Sequence, residues 1–225
     1  MFDFAFLLAI LPALMSGLVV TLQATAGGYA LAIVVGLLLA LGNRSRHRMV
    51  STLCRIYVAA LRCTPLLVQL YVAYYVLPRA GVTFSALTTG IIALGLYTGA
   101  YLSEVFRAGI DAIDRGQWEA ADALGLSRIT KWRKIILPQV LPSVMLPMGN
   151  YLIGMFKETP LLAAITVLDV FGMANDVAGQ SYRYTEPYTA AALLLLTISV
   201  AAAYALRFVE RRVRARSTRL RRQEL

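Results

Sequence analysis

Charge is scarce in this chain. Only 15% of its 225 residues are Asp, Glu, Lys or Arg, where a soluble domain carries about 25%. One histidine, His47, stands alone in a basic loop, and the two cysteines, Cys54 and Cys63, lie nine apart inside one apolar run. Neither pattern has metal-ligand spacing, and both cysteines read as small buried residues rather than as a disulfide framework. The lysines are Lys131, Lys134 and Lys157, and none follows a glycine. A nucleotide-binding loop of the form GxxxxGK[ST] is therefore missing. The chain does not hydrolyse ATP itself, and energy for any driven process has to arrive through a partner. No cofactor is implied. All twelve acids lie outside the centres of the apolar runs, Glu104 coming closest. Ion-coupled carriers place such groups deep in their spans, so this placement counts against an ion-coupled carrier.

What remains is apolar: 59% of the residues are hydrophobic. Charges gather at 43–48, 104–134, 157–186 and 207–224, with apolar runs between them. A bilayer core about 30 Å thick takes roughly 20 apolar residues per helical span. The chain thus reads as an all-α integral membrane protein with five transmembrane helices, at about 18–41, 51–77, 86–106, 136–156 and 188–206. Residues 1–15 lack the basic start and small-residue cleavage site of a secretory signal. They read as a short extracytoplasmic or interfacial helix leading to Pro12.

The basic residues orient these spans. Of 22 Lys and Arg, three follow the first span, six the third and eight the fifth, from Arg207 to Arg222. The loops after spans two and four hold only Arg79, Lys157 and Arg183. The positive-inside rule then puts the N-terminus outside and the C-terminus in the cytoplasm. The tail 207–225 reads as a topology anchor on anionic headgroups rather than as a nucleic-acid arm. Arg62 is the one charge near mid-bilayer: eleven residues at 1.5 Å put it ~16 Å deep. It faces either a substrate path or a structural partner, such as carbonyls freed by Pro65.

One long polar stretch, GQWEAADALGLSRITKWRKIILPQ at 116–139, falls on the cytoplasmic side of this topology. Asp114 and Gln117 have capping-box spacing, QWEAADAL is rich in helix formers, and Gly125 suits the residue just past a helix end. Trp118, Ala121 and Leu124 recur at three-residue steps beside Glu119 and Asp122. A helix this short needs a surface to dock on, either the membrane and the protein's own loops or a cytoplasmic partner. Ser127 caps a second, basic helix over RITKWRKII. Pro138, Pro142 and Pro147 then make a straight span four improbable. With Gly149 and Asn150 they point to a broken helix lining a path.

The spacing in this stretch resembles a known signature. Glu119-Ala120-Ala121, three residues, Gly125, nine residues and Ile135-x-Leu137-Pro138 match the EAA motif of permease subunits of ABC importers. LRCTPLLVQLYVAYYVLP at 61–78, GQWEAADALGLS, Pro138-Gln139, Gly149-Asn150 and Lys157-x-Thr159 resemble the polar amino-acid branch, histidine/glutamine type. The likeness covers roughly 15–206. Cys63 replaces a usual glycine, Pro142 an arginine, and KETP at 157–160 the commoner Lys-Asp/Asn-Thr-Ser, which weakens any transfer of substrate identity.

The resemblance implies a type I importer fold, MetI-like, over 16–206, with a coupling helix at about 115–125. It implies that Glu119, Ala120, Ala121 and Gly125 dock on a cytoplasmic ABC ATPase, while Pro138 turns the chain into the bundle. Candidates for the translocation path are Arg62, Pro65, Gln69, Asn150 and Lys157. The implied partners are two ATPase subunits, an extracytoplasmic solute-binding protein meeting loops 78–85 and 157–187, and a second permease, identical or homologous. The surrounding phase is the bilayer of a bacterial inner membrane, with no nucleic acid involved. The solute is then a polar amino acid or similar zwitterion. The rival readings are an autonomous secondary transporter or channel, and a membrane scaffold that uses the same helix as a docking site.

Overall fold

The computed structural model describes residues 2–223, with side chains described up to Glu210. It is helical throughout, with no strand among the described residues. Its elements are α1 (Phe4–Asn43), α2 (Arg48–Cys63), α3 (Leu66–Tyr71), α4 (Ala86–Asp111), α5 (Arg115–Ala123), α6 (Arg128–Lys131), α7 (Leu137–Glu158), α8 (Val170–Ser181) and α9 (Thr185–Gln223). One π-helical turn, Trp132–Ile136, joins α6 to α7, and another, Val72–Val76, extends α3; 3₁₀ turns follow at Leu77–Ala80 and, after α7, at Thr159–Ile165. Four of these helices are long and apolar enough to cross a membrane. A fifth crossing is made if the bent pair Arg48–Cys63 and Leu66–Ala80 counts as one span.

α1 and α4 form the largest helix–helix contact, and small residues make it possible. Gly28, Ala32, Gly36 and Ala40 recur every fourth position on the buried side of α1. Ala32 and Gly36 close on Gly99 of α4, while Gly95 of α4 takes the side chain of Leu31. A Cβ added at Gly36 would sit 2.9 Å from Leu102 Cβ and 3.0 Å from the Gly99 carbonyl oxygen. Helices in lipid gain nothing from hiding apolar surface, so they associate through such close packing. Exposed leucines such as Leu8, Leu38 and Leu53 stay on the outside.

The N-terminal residues do not form a separate interfacial helix. α1 is continuous from Phe4 with Pro12 inside it. Ile10 and Leu14 are buried with Val170, Ala174, Ala190 and Ala191. That packing offsets the single backbone hydrogen bond Pro12 removes. The start of α1 is also latched. Arg183 donates to Asp3 at 3.1 Å and to Glu186 at 2.6 Å, and its guanidinium lies 4.2 Å over the Phe6 ring. Asp3 caps α1 by accepting from the Ala5 and Phe6 amides. The Phe6 amide, then the Arg183 guanidinium, hold the Asp3 carboxyl below its ordinary range.

Span four differs from expectation in the same direction. α7 runs unbroken from Leu137 to Glu158 with Pro142 and Pro147 inside. Pro138 follows directly on the π-helical turn Trp132–Ile136, where the regular i→i−4 ladder is already interrupted. Val140, Val144, Gly149 and Met155 pack into the core. Tyr29 donates to the Met148 carbonyl at 2.8 Å, tying α7 to α1.

The break lies in span two instead, where the helix axis bends by 105°. Pro65 has no amide, so the Leu61 carbonyl loses its donor four residues on. The side chain of Gln69 replaces it, donating to Leu61 O at 2.9 Å, Thr64 O at 3.1 Å and Thr64 Oγ1 at 2.8 Å. Thr64 Oγ1 donates in turn to the Ala60 carbonyl at 2.8 Å. Gln69, rather than Arg62, serves the carbonyls freed at Pro65. Cys63 at this bend is exposed and Cys54 half-buried, against the expectation of two buried thiols. α9 carries the basic tail onward as helix to Gln223, and the tail side chains of 211–225 lie outside the described residues.

Candidate functional site

α5 is a nine-residue helix standing off one end of the bundle, its two ends fixed by backbone chemistry. At its start the Asp114 carboxylate accepts from the Gly116 amide at 2.6 Å. Gln117 does not complete the capping box. Its side-chain oxygen accepts from Gln139 at 3.1 Å, tying α5 to the first turn of α7. At its end Gly125 adopts φ +63°. The Gly125 amide bonds Asp122 O at 3.0 Å and the Leu126 amide bonds Ala121 O at 3.2 Å. This pair of bonds is a Schellman motif, and its left-handed position is why glycine stands there.

The two faces of α5 differ. Ala121 is fully buried against the chain's own bundle, and Trp118 meets Trp132 edge to face at 5.5 Å. Glu119, Ala120 and Ala123 are exposed. Leu124 is 74% exposed and Ile129, just beyond the turn, 71%. Of the docking residues expected from the sequence, Glu119, Ala120 and Gly125 therefore face outward, while Ala121 seats the helix on its own protein. Pro138 is exposed at the start of α7. The three-residue spacing groups Leu124 with Trp118 and Ala121, and nothing in the sequence singles out Ile129. That spacing suggests a shared face, but each three-residue step falls about 60° short of a full turn, so Leu124 has drifted off the face that buries Ala121.

The second cluster surrounds the end of α2. Arg62 Cζ lies 5.2 Å above the Tyr101 ring, within cation–π range. The Tyr101 hydroxyl is 3.5 Å from the Arg62 carbonyl oxygen. Tyr97 and Tyr151 flank Tyr101 at ring distances of 5.1 and 5.7 Å. Arg62, Tyr101, Glu104, Ser143, Pro147 and Tyr151 line an open cleft of about 420 Å³ between α2, α4 and α7. Glu104 is already engaged, accepting from Arg107 at 2.6 Å. An aromatic wall with one guanidinium suits a small solute carrying a carboxylate.

The remaining path candidates do not converge on this cleft. Pro65 makes the bend, and Gln69 lines a separate apolar groove of about 380 Å³ with Val68, Val72 and Ile92. Asn150 and Lys157 are exposed along α7 and line none of the clefts described here. The three tyrosines were missed in the sequence. Tyr97 and Tyr101 are one turn apart on α4, a spacing that sequence alone does not distinguish from ordinary core packing.

The comparisons place this geometry in a family. Residues 32–215 match the family described as "Binding-protein-dependent transport system inner membrane component". The chain is 38% identical over 208 residues to a probable amino-acid ABC transporter permease of Sinorhizobium fredii, covering 92% of this chain and 90% of the other. A probable amino-acid permease of Bacillus subtilis is 34% identical, with coverages of 88% and 90%. Among solved structures, an amino acid ABC transporter with histidines superimposes with a TM-score of 0.87 at 33% identity, covering 94% and 99% of the two chains. The inward-facing MetNI methionine transporter shares the fold with a TM-score of 0.71 at 18% identity.

The chain belongs to the family of inner-membrane components of binding-protein-dependent transport systems. It has the MetI-like importer permease fold and is a multi-pass membrane transport subunit, not the ATPase.

Proposed function

We propose that this chain forms the translocation path of an ATP-driven importer for a polar amino acid or similar zwitterion. The relatives' names support the amino-acid class. Its N-terminus lies outside and its C-terminus in the cytoplasm, a reading supported by the 17 basic residues of 22 that follow spans one, three and five. A solute-binding protein delivers the solute to the end that carries α8. A second permease, a copy or a homologue, completes the path, and two ATPase subunits drive it from the end that carries α5.

The observation that carries the coupling role is the outward face of α5. Glu119, Ala120 and Leu124 project away from the bundle from a helix rigidly capped at both ends. A stiff knob with an apolar tip transmits force, which a frayed loop does not. Within the membrane, Arg62 over Tyr101 is the natural partner of the solute carboxylate, and the bend at Pro65, held by Gln69, shapes that wall. Asn150 and Lys157 extend the path along α7.

Reconstitution tests this reading. Uptake into vesicles should require the ATPase and ATP, and Arg62→Gln should raise KM for the solute while leaving basal ATP hydrolysis unchanged. Uptake by this chain without ATPase or ATP would overturn the importer reading in favour of an autonomous carrier or channel.

A further inference from the structure

The end of the bundle that carries α5 also holds the largest cleft described, about 960 Å³. One wall is the end of α1 and the turn after it. The other is formed by α5, α6 and the π-helical turn. Four cations line it, Arg44, Arg46, Arg128 and Lys131, against one carboxylate, Asp122. Two of the cations are spoken for: Arg44 pairs with Asp111 and Lys131 with Asp122. Arg46 and Arg128 have no carboxylate partner among the described residues. Two free guanidinium groups across a cleft are matched to a phosphate, which accepts their forked donors.

The rest of the lining is not what a soluble anion needs. Trp118 and Trp132 stand there edge to face, and tryptophan favours the headgroup level of a bilayer. Leu41 lies at the rim and continues an exposed apolar strip, Leu37 and Leu38, up α1. Cations, then indoles, then leucines follow the order phosphate, glycerol, acyl chain. Basic pockets at helix ends hold acidic phospholipids on this principle.

We propose that this cleft is a binding site for an anionic phospholipid, its phosphate held by Arg46 and Arg128 and its acyl chains along Leu37 and Leu41. The site is independent of the transport reading, because it needs neither the ATPase nor the solute.

The chain has two tryptophans and both line the cleft, so intrinsic fluorescence reports the site directly. The full chain, purified in a neutral detergent, is titrated with phosphatidylglycerol brominated on its acyl chains, and with the matching phosphatidylcholine. Saturable quenching by phosphatidylglycerol well above that by phosphatidylcholine is expected. Arg46→Gln and Arg128→Gln should each weaken it about five-fold, with Arg→Lys at either position recovering only part of the loss, because lysine keeps the charge but not the forked donors. Arg79→Gln, in the loop before α4, should leave it unchanged.

Equal quenching by the two lipids, or full binding by the double glutamine variant, would overturn the proposal. Displacement by excess inorganic phosphate would assign the arginines to a soluble anion, and displacement by the ATPase subunit would assign them to a protein interface. Either result also overturns it. Uptake that persists in pure phosphatidylcholine leaves the transport reading standing whatever the lipid titration shows.

Discussion

Gln69→Leu removes the donor at the bend while nearly preserving side-chain volume. Nε2 has two protons and three acceptors within 3.1 Å: Leu61 O, Thr64 O and Thr64 Oγ1. Two protons therefore serve three acceptors, and the leucine variant loses the equivalent of two hydrogen bonds. Side-chain hydrogen bonds within membrane bundles average ~0.6 kcal/mol and reach ~1.7. The variant should thus be destabilised by roughly 1–3 kcal/mol, because Pro65 supplies no substitute amide. Gln69→Glu, close in shape but unable to donate when ionised, should fall with it. The assay is the unfolding midpoint of the purified chain in mixed micelles, alongside ATP-driven uptake of the reconstituted importer. Both variants within about 0.3 kcal/mol of the parent, the scatter expected of independent sites, would refute the reasoning. Pro65 alone would then hold the bend.

Gly125→Ala meets no atom within 4 Å, so its cost is backbone strain at φ +63°, about 1 kcal/mol. Amide exchange at Leu126 should speed up about five-fold, with Gly125→Asn closer to the parent. Gly36→Ala presses a Cβ to 2.9 Å from Leu102 Cβ and should cost roughly 1–3 kcal/mol in the same unfolding assay. Gly154→Ala, with open space around it, should be near neutral. The Asp3 carboxyl is held below its ordinary value of 3.8, so its latch with Arg183 stabilises fully above that value and weakens as pH falls through the lowered one. The midpoint should therefore lack any Asp3-dependent change from neutrality to mild acid. A strong-acid drop should appear in the parent and be reduced in Asp3→Asn.

Much of this architecture was legible in the chain. Arg and Lys clusters separate the apolar runs, and Asp114, Gly125 and Ser127 mark in turn where α5 begins, where it ends and where α6 begins, because caps are local chemistry. Proline was read less well. Pro12, Pro142 and Pro147 lie inside continuous helices, because packing on α8, α9 and the core supplies what their amides lack. At Pro65 the chain bends, and a glutamine four residues on completes its hydrogen bonds. Which face of α5 is free could not be read from three-residue spacing, since each such step falls about 60° short of a full turn and carries Leu124 away from the side that buries Ala121. The Arg62–Tyr101 stack joins residues 39 apart in sequence, a distance over which no local pattern speaks.

The outward face of α5 is the point where the account is most exposed. Leu124→Cys, in a background with Cys54 and Cys63 replaced by serine, places one thiol at its tip. Paired with single cysteines along the ATPase groove, it should form a disulfide that blocks ATP-driven uptake and releases it on reduction. No disulfide at any groove position, with full uptake retained by Leu124→Asp, would contradict the claim that α5 is the lever through which the ATPase moves this permease.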